Sequence, residues 1–125
     1  MGGTEQDAVK NLFDRLNSAS TTAFPEAHKP LRVPEKHGNY IIISPGGGIV
    51  SVGRTTRGKH GLRGRLKNHL AGQSSFSRKH LGGKGSSLRS KYSYKYVCEA
   101  DPRLRALLEA LATGILCPEY LGTGA

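Results

Sequence analysis

Hydrophobic side chains recur at helical spacing near both ends of the chain. Between residues 5 and 17 the apolar positions are Val9, Leu12, Phe13 and Leu16, with polar residues between them. This pattern predicts an amphipathic helix that docks on the core of its own domain, with partner binding as the alternative. Nearer the C-terminus, Asp101-Pro102 supplies an N-cap and a first-turn proline for a long helix. The expected buried face of that helix consists of Leu104, Leu107, Leu108, Leu111 and Ile115.

The middle of the chain has patterns typical of β-strands. Two β-branched runs, residues 40–44 and 49–53, flank Pro45-Gly46-Gly47-Gly48 and predict an antiparallel hairpin. The three glycines lack the Gly-Lys-Ser/Thr ending of a phosphate-binding loop, so a turn is the better interpretation. Residues 91–99 alternate tyrosines with polar side chains and predict another strand. We expect these tyrosines to pack against a helix rather than to stack on nucleic-acid bases.

Helical spacing also occurs between the predicted strands. Residues 61–71 are expected to form a helix with leucines at positions 62, 66 and 70 as its buried stripe. Arg65 and His69 lie four residues apart and therefore share one side of this helix, at the border of the stripe. A short helix is predicted near residues 75–80 and a mobile loop at residues 82–87.

Residues 18–37 contain Pro25, Pro30 and Pro34 and have no regular spacing of apolar residues. This composition predicts an extended linker without an element of its own. The chain is therefore divided into an N-terminal helix and linker, residues 1–35, and a domain, residues 36–125.

The charge of the chain is strongly positive, with a formal net charge of +10. No Asp or Glu occurs from Lys36 to Cys98, which indicates a polyanionic partner, either nucleic acid or an anionic membrane surface. No apolar run is long enough to cross a bilayer. Cys98 and Cys117 lie outside any C-x-x-C pattern. We therefore expect free, buried thiols in a reducing cytoplasm rather than a zinc site.

The chain resembles the GIY-YIG nuclease domain family over residues 38–121. The resemblance rests on short motifs that occur in the family's order: Gly38-x-Tyr40, Val52-Gly53-Arg54, Arg65-Leu66-x-x-His69, Glu109 and Pro118-x-Tyr120. It implies an α+β domain in which helices flank a central three-stranded antiparallel sheet. It also implies divalent-metal-dependent hydrolysis of DNA phosphodiester bonds.

The same resemblance implies a role for each of four residues. Tyr40 matches the tyrosine that helps to activate the attacking water, and His69 matches the histidine that supports proton transfer. Arg65 resembles the arginine that binds the scissile phosphate, and Glu109 resembles the lone carboxylate that binds Mg²⁺ or Mn²⁺. The surrounding basic residues are expected to contact the nucleic acid: Arg54, Arg57, Lys59, Arg63, Lys67, Arg78, Lys79 and Lys84.

These residue types suit the chemistry of phosphodiester cleavage. An arginine grips two phosphate oxygens in a fork that lysine does not reproduce. One carboxylate suffices for Mg²⁺ because this ion keeps several of its waters. A tyrosine is a poor base at neutral pH unless nearby cations lower its pKa, and we expect the cationic middle of the chain to do so. Each residue also has an ordinary structural explanation when it is considered alone.

The sequence departs from the family pattern at Asn39, where isoleucine is usual, at Ser51, where tyrosine is usual, and at Leu121, where asparagine is usual. The leading hypothesis is a DNA endonuclease of low sequence selectivity. One alternative is a weakened module that binds nucleic acid without cutting, and another is a basic assembly protein. The N-terminal helix is a candidate surface for a second copy or for a separate specificity partner.

Overall fold

A computed structural model of the protein describes residues 3–122. Its helices are α1 (Glu5–Ser18), α2 (Gly61–Leu70), α3 (Ser75–His80) and α4 (Pro102–Leu116), with a short 3₁₀ helix at Gly85–Arg89. Its strands are β1 (Thr22–Ala23), β2 (Gly38–Ile43), β3 (Ile49–Arg54) and β4 (Ser93–Cys98). The protein is therefore α+β, as the sequence predicted.

The sheet has four antiparallel strands in the order β1-β4-β2-β3, so the expectation of three strands is wrong. The extra strand, β1, pairs Thr22 with Tyr94 at the edge of the sheet. It lies in the stretch for which no element was expected. A short edge strand tolerates neighbouring prolines because only one of its sides needs hydrogen bonds.

The core extends across the predicted division at residue 35. Phe24, Leu31 and Val33 belong to the same buried cluster as Tyr40 and Ile42. These three side chains fix the proline-containing stretch to the domain, although nothing in its spacing indicates helix or strand. The N-terminal helix packs as expected, because its Leu12 and Leu16 are buried with residues of the sheet and of α4.

The two faces of the sheet carry different helices. Alternate side chains of β2 project to opposite faces. Tyr40 and Ile42 pack towards α2, while Ile41 packs in the cluster formed with α1 and α4. β2 is thus covered on both sides, whereas β3 forms an edge of the sheet between α2 and α4.

Helix α4 begins with the predicted cap, since the Asp101 side chain accepts from the N–H of Arg103 and Pro102 occupies the first turn. Its buried face differs from the prediction. Leu108 is fully buried, but Ile115 is 56% exposed and Arg105 is only 3% exposed. The leucine pattern did not reveal that an arginine would be held inside by backbone carbonyl groups.

Two further expectations concern the cysteines and the membrane. Cys98 is partly buried, but Cys117 is exposed, so the expectation of two buried thiols is wrong for Cys117. Of the described helices, none combines the length and the apolar character needed to cross a bilayer.

Candidate functional site

The four predicted catalytic residues line one cleft of about 350 Å³ at the edge formed by β3. Tyr40 comes from β2, Arg65 and His69 come from one side of α2, and Glu109 comes from α4. The backbone N–H groups of Glu119 and Tyr120 bond to carbonyls of β3, which brings the C-terminal segment to the wall of the same cleft. The fold therefore gathers residues that are up to about eighty positions apart in the sequence into one place.

A chain of hydrogen bonds connects Arg65, Tyr40, His69 and Ser74. Arg65 Nε donates to Tyr40 Oη over 3.3 Å, and Tyr40 Oη lies 2.8 Å from His69 Nε2. His69 Nδ1 lies 2.6 Å from Ser74 Oγ. Tyr40 and His69 are each 1% exposed, so these bonds lie in a region of low dielectric constant, where they are strong.

The neighbouring serine fixes the direction of these bonds. Ser74 Oγ accepts from the N–H of Ser77 and donates to Ser77 Oγ, which uses its only proton. His69 Nδ1 therefore carries the ring proton and donates to Ser74. Nε2 is then the acceptor, and the Tyr40 hydroxyl donates to it while accepting from Arg65. In this arrangement every donor in this series of hydrogen bonds has an acceptor.

Burial controls the protonation of Tyr40 and His69. Burial raises the pKa of the Tyr40 phenol, although the Arg65 guanidinium acts in the opposite direction. The expectation that the cationic surroundings lower this pKa is therefore wrong, because desolvation outweighs the nearby charge. Burial, reinforced by Arg65, lowers the pKa of His69 to about 3. At neutral pH both groups are uncharged.

Glu109 is the carboxylate of the cleft, and it is held by an arginine. Its Oε1 lies 3.0 Å from Arg54 Nε, and each side chain is about one-third exposed. Burial raises the pKa of Glu109, while the Arg54 charge opposes this effect. Within residues 3–122 the contact with Arg54 is the single ion pair of Glu109.

The cleft offers one carboxylate, that of Glu109, as a ligand for a metal ion. Within residues 3–122 no cluster of three or more His, Cys, Asp or Glu side chains occurs, and structural or catalytic zinc needs such a cluster. A single carboxylate fits an ion that keeps most of its waters and takes further oxygens from a phosphate. Glu109 is the residue that would hold it.

The motif glycines have a packing explanation. A Cβ at Gly53 would overlap the phenol of Tyr40, which is its cross-strand partner. A Cβ at Gly38 would overlap the Val97 carbonyl oxygen on β4. Both glycines allow close approach in the sheet, and Gly53 in particular makes room for the phenol of the candidate site.

Of the three positions that depart from the family pattern, Ser51 and Leu121 line the same cleft and Asn39 does not. Ser51 is buried and lines it. Tyr120, of the Pro118-x-Tyr120 motif, contributes a second phenol to the wall, and its ring lies 5.5 Å from that of Phe76. Leu121 is 56% exposed at the rim. Asn39 is buried on the other face of the sheet, where its Nδ2 donates to the Arg105 carbonyl.

The predicted nucleic-acid-binding residues fall into three groups. Arg54 lines the cleft, and Arg57 and Lys59 line a second groove beside it. Arg63 has a structural role, because its Nε donates to the Val33 carbonyl and its guanidinium pairs with Glu35. The remaining basic residues line neither the cleft nor the groove: Lys67 on α2, Arg78 and Lys79 on α3, and Lys84 in the loop before the 3₁₀ helix.

Sequence reasoning missed the residues that support the site. Ser74 and Ser77 orient His69, and Arg105 holds the loop after β3. The serines lie in a Gln-Ser-Ser-Phe-Ser run, which has the Ser-x-x-Ser spacing of a helix start. Nothing in this run indicates a hydrogen bond to His69.

Comparison of the chain with protein-family models, curated proteins and solved structures gave no match.

Proposed function

We propose that the protein is a divalent-metal-dependent endonuclease that hydrolyses DNA phosphodiester bonds. One observation carries this proposal: the hydrogen bonds that connect Arg65 with the buried side chains of Tyr40 and His69 lie at the same cleft as the Glu109 carboxylate. An ordinary core would not place a phenol, an imidazole, a guanidinium and a carboxylate around one cavity, because buried polar groups are costly.

Arg65 binds the phosphate that is cut. Its Nε is bonded to Tyr40, so its terminal nitrogens remain for the phosphate oxygens. Charge builds up on these oxygens as the bond to the attacking oxygen forms, and a fixed guanidinium stabilises that charge. Glu109 would hold the divalent ion, which would supply further positive charge to stabilise the negative charge that develops during cleavage.

Tyr40 and His69 together remove the proton of the attacking water. The water proton passes to Tyr40 Oη as the hydroxyl proton of Tyr40 passes to His69 Nε2. The attacking oxygen bonds to phosphorus, the bond to the sugar oxygen breaks, and this leaving oxygen takes a proton from solvent. Neither group is an effective base alone at neutral pH, since the pKa of Tyr40 is raised and that of His69 is about 3.

Substrate binding favours this proton transfer. Part of the lowering of the His69 pKa comes from the positive charge of Arg65. A phosphate bound to Arg65 offsets that charge, which raises the pKa of His69 and makes Nε2 a better acceptor. The histidine thus becomes a stronger base when the phosphodiester is in place.

The test is nicking of supercoiled plasmid with and without Mg²⁺ or Mn²⁺. We expect metal-dependent nicking that Arg65→Lys lowers at least about 10²-fold, because lysine keeps the charge but loses the fork. Arg15→Lys on α1 is the matched control and should be unchanged. Nicking that does not depend on the metal, or that Arg65→Lys leaves intact, would contradict the proposal.

The second candidate function is binding of DNA without cleavage. The Arg54–Glu109 pair and Ser51 favour it, because the first occupies the carboxylate and the second lacks the usual phenol. In that case the protein would bind DNA with a steep dependence on salt but would not nick it under any metal condition. Under both functions we propose low sequence selectivity and a location on cytoplasmic DNA.

A further inference from the structure

A second groove, of about 470 Å³, adjoins the candidate catalytic cleft and shares Arg54 and Arg65 with it. We propose that this groove binds the phosphate next to the one that is cut, so that the protein grips a DNA strand at two successive positions. The proposal rests on the proposed function for its substrate, and it adds a binding site outside the catalytic residues.

The lining of the groove is cationic and contains no carboxylate. Arg57 and Lys59 are exposed on its wall, and neither forms an ion pair with any residue between 3 and 122. Two carboxylates contact residues of the lining, and both have partners: Glu35 is bonded to His60 and paired with Arg63, and Glu109 is paired with Arg54. The groove therefore offers two unneutralised charges beside a guanidinium that already faces the cleft.

The backbone of the groove also favours an anion. Within the described part of the chain, the N–H groups of residues 56–60 donate to no other residue. Gly58 has a φ of 104°, a left-handed conformation that glycine adopts without strain. Helix α2 begins at Gly61 without a side-chain cap, so its positive end adds to the potential. Backbone N–H groups of this kind bind phosphate oxygens together with basic side chains.

Arg105 holds the wall of the groove in place. Its guanidinium donates to the carbonyls of Thr55 and Thr56 over 3.1 and 3.2 Å, and to those of Glu99 and Ala100. Two successive carbonyls of the loop therefore point into the protein. A loop fixed in this way loses little conformational entropy when a ligand binds, which suits a binding site better than a mobile basic loop would.

The test compares two double variants that each remove two positive charges. Arg57→Gln/Lys59→Gln alters the groove, and Lys10→Gln/Arg15→Gln alters exposed residues of α1 that line neither cleft. Both are made in the Glu109→Gln protein and titrated without metal against a short labelled DNA duplex at several salt concentrations. Cleavage therefore plays no part in the measurement.

We expect the groove variant to lower the slope of log affinity against log salt by about 0.9, the value for the loss of one phosphate contact. The α1 variant should leave the slope and the affinity nearly unchanged, because exposed charges are screened beyond about 8–10 Å. Equal losses in the two variants would overturn the inference, since they would reflect only the net charge. A selective loss in the groove variant would support it even if the protein never cuts DNA.

A kinetic measurement distinguishes the flanking phosphate from the scissile one. If the wild-type protein nicks DNA, Arg57→Gln/Lys59→Gln should raise KM about tenfold or more and leave kcat within about threefold. A fall in kcat with unchanged KM would overturn the assignment to a flanking phosphate.

Discussion

Burial controls the protonation of His69. Its ring is 1% exposed, and its pKa falls from an ordinary 6.5 to about 3. Below pH 6.5 the unfolded chain therefore binds a proton that the folded protein does not bind. The stability due to neutral His69 is fully present above pH 6.5 and is lost as the pH falls from 6.5 towards 3.

This linkage predicts the pH dependence of unfolding. Between pH 7 and pH 5 the protonation of His69 in the unfolded chain should lower the free energy of unfolding by about 2 kcal/mol. Each unit of pH contributes about 1.36 kcal/mol once the unfolded histidine is protonated. His69→Gln should remove that part of the dependence, as seen by urea unfolding at both pH values. His28→Asn is the control, because this histidine is exposed and has a φ of 70° that asparagine tolerates. The same pH dependence in His69→Gln and in the wild type would contradict the assignment.

Replacing the two phenols of the cleft should affect nicking to different extents. Tyr40→Phe should lower single-turnover nicking about 10²-fold or more, because it removes the group that passes the proton to His69. Tyr120→Phe should have less than about a tenfold effect, because Tyr120 lines the cleft without a hydrogen bond to His69. DNA binding should be retained by both. A larger effect at Tyr120 than at Tyr40 would show that the roles of the two residues had been exchanged.

At the scale of the elements, Arg105 connects α4 to the loop between β3 and α2. This buried guanidinium is satisfied by carbonyl groups instead of a carboxylate. Arg105→Met should destabilise the fold by about 3 kcal/mol or more, since several carbonyls lose their donor inside the protein. Arg103→Met removes only the exposed pair with Glu5 and should cost less than about 1 kcal/mol. Similar unfolding midpoints for the two variants in urea would contradict this role.

Local patterns in the sequence predicted most of the elements but not their surroundings. The hairpin, α2, α3 and β4 have clear spacing or turn residues, and each was found within a few residues of its predicted bounds. β1 was not predicted because a strand of two residues has no detectable periodicity and forms only by pairing with β4. The burial of Arg105 was not predicted because the carbonyl groups that accept its hydrogen bonds are brought together only in the folded protein.

The sequence predicted which residues would lie together at the candidate site but not the electrostatics of that site. Motif order predicted Tyr40, Arg65, His69 and Glu109 as site residues, and these four side chains line one cleft. The direction of the Tyr40 pKa was predicted wrongly because the sequence shows the charges along the chain but not the burial of the phenol. The Arg54–Glu109 pair was equally hidden, since its partners come from β3 and α4.

Over the whole molecule, positive charge is concentrated in the residues that bear the cleft and the groove. The acid-free stretch from Lys36 to Cys98 contains β2, β3 and α2, whereas Glu5, Asp7 and Asp14 lie on α1. An excess of positive charge in this part of the protein attracts polyanions and raises their rate of encounter at low salt. Under the proposed function, these charges would bring a DNA phosphate close to the cleft.

The most direct test of the central claim compares DNA binding and DNA cutting in Glu109→Gln. The substitution keeps the size of the side chain and removes only the charge that would hold Mg²⁺ or Mn²⁺. We predict that Glu109→Gln binds plasmid DNA at least as tightly as the wild type but loses metal-dependent nicking by about 10²-fold or more. Glu26→Gln, at an exposed glutamate paired only with Lys29, should nick normally. Nicking by Glu109→Gln at the wild-type rate would contradict the account.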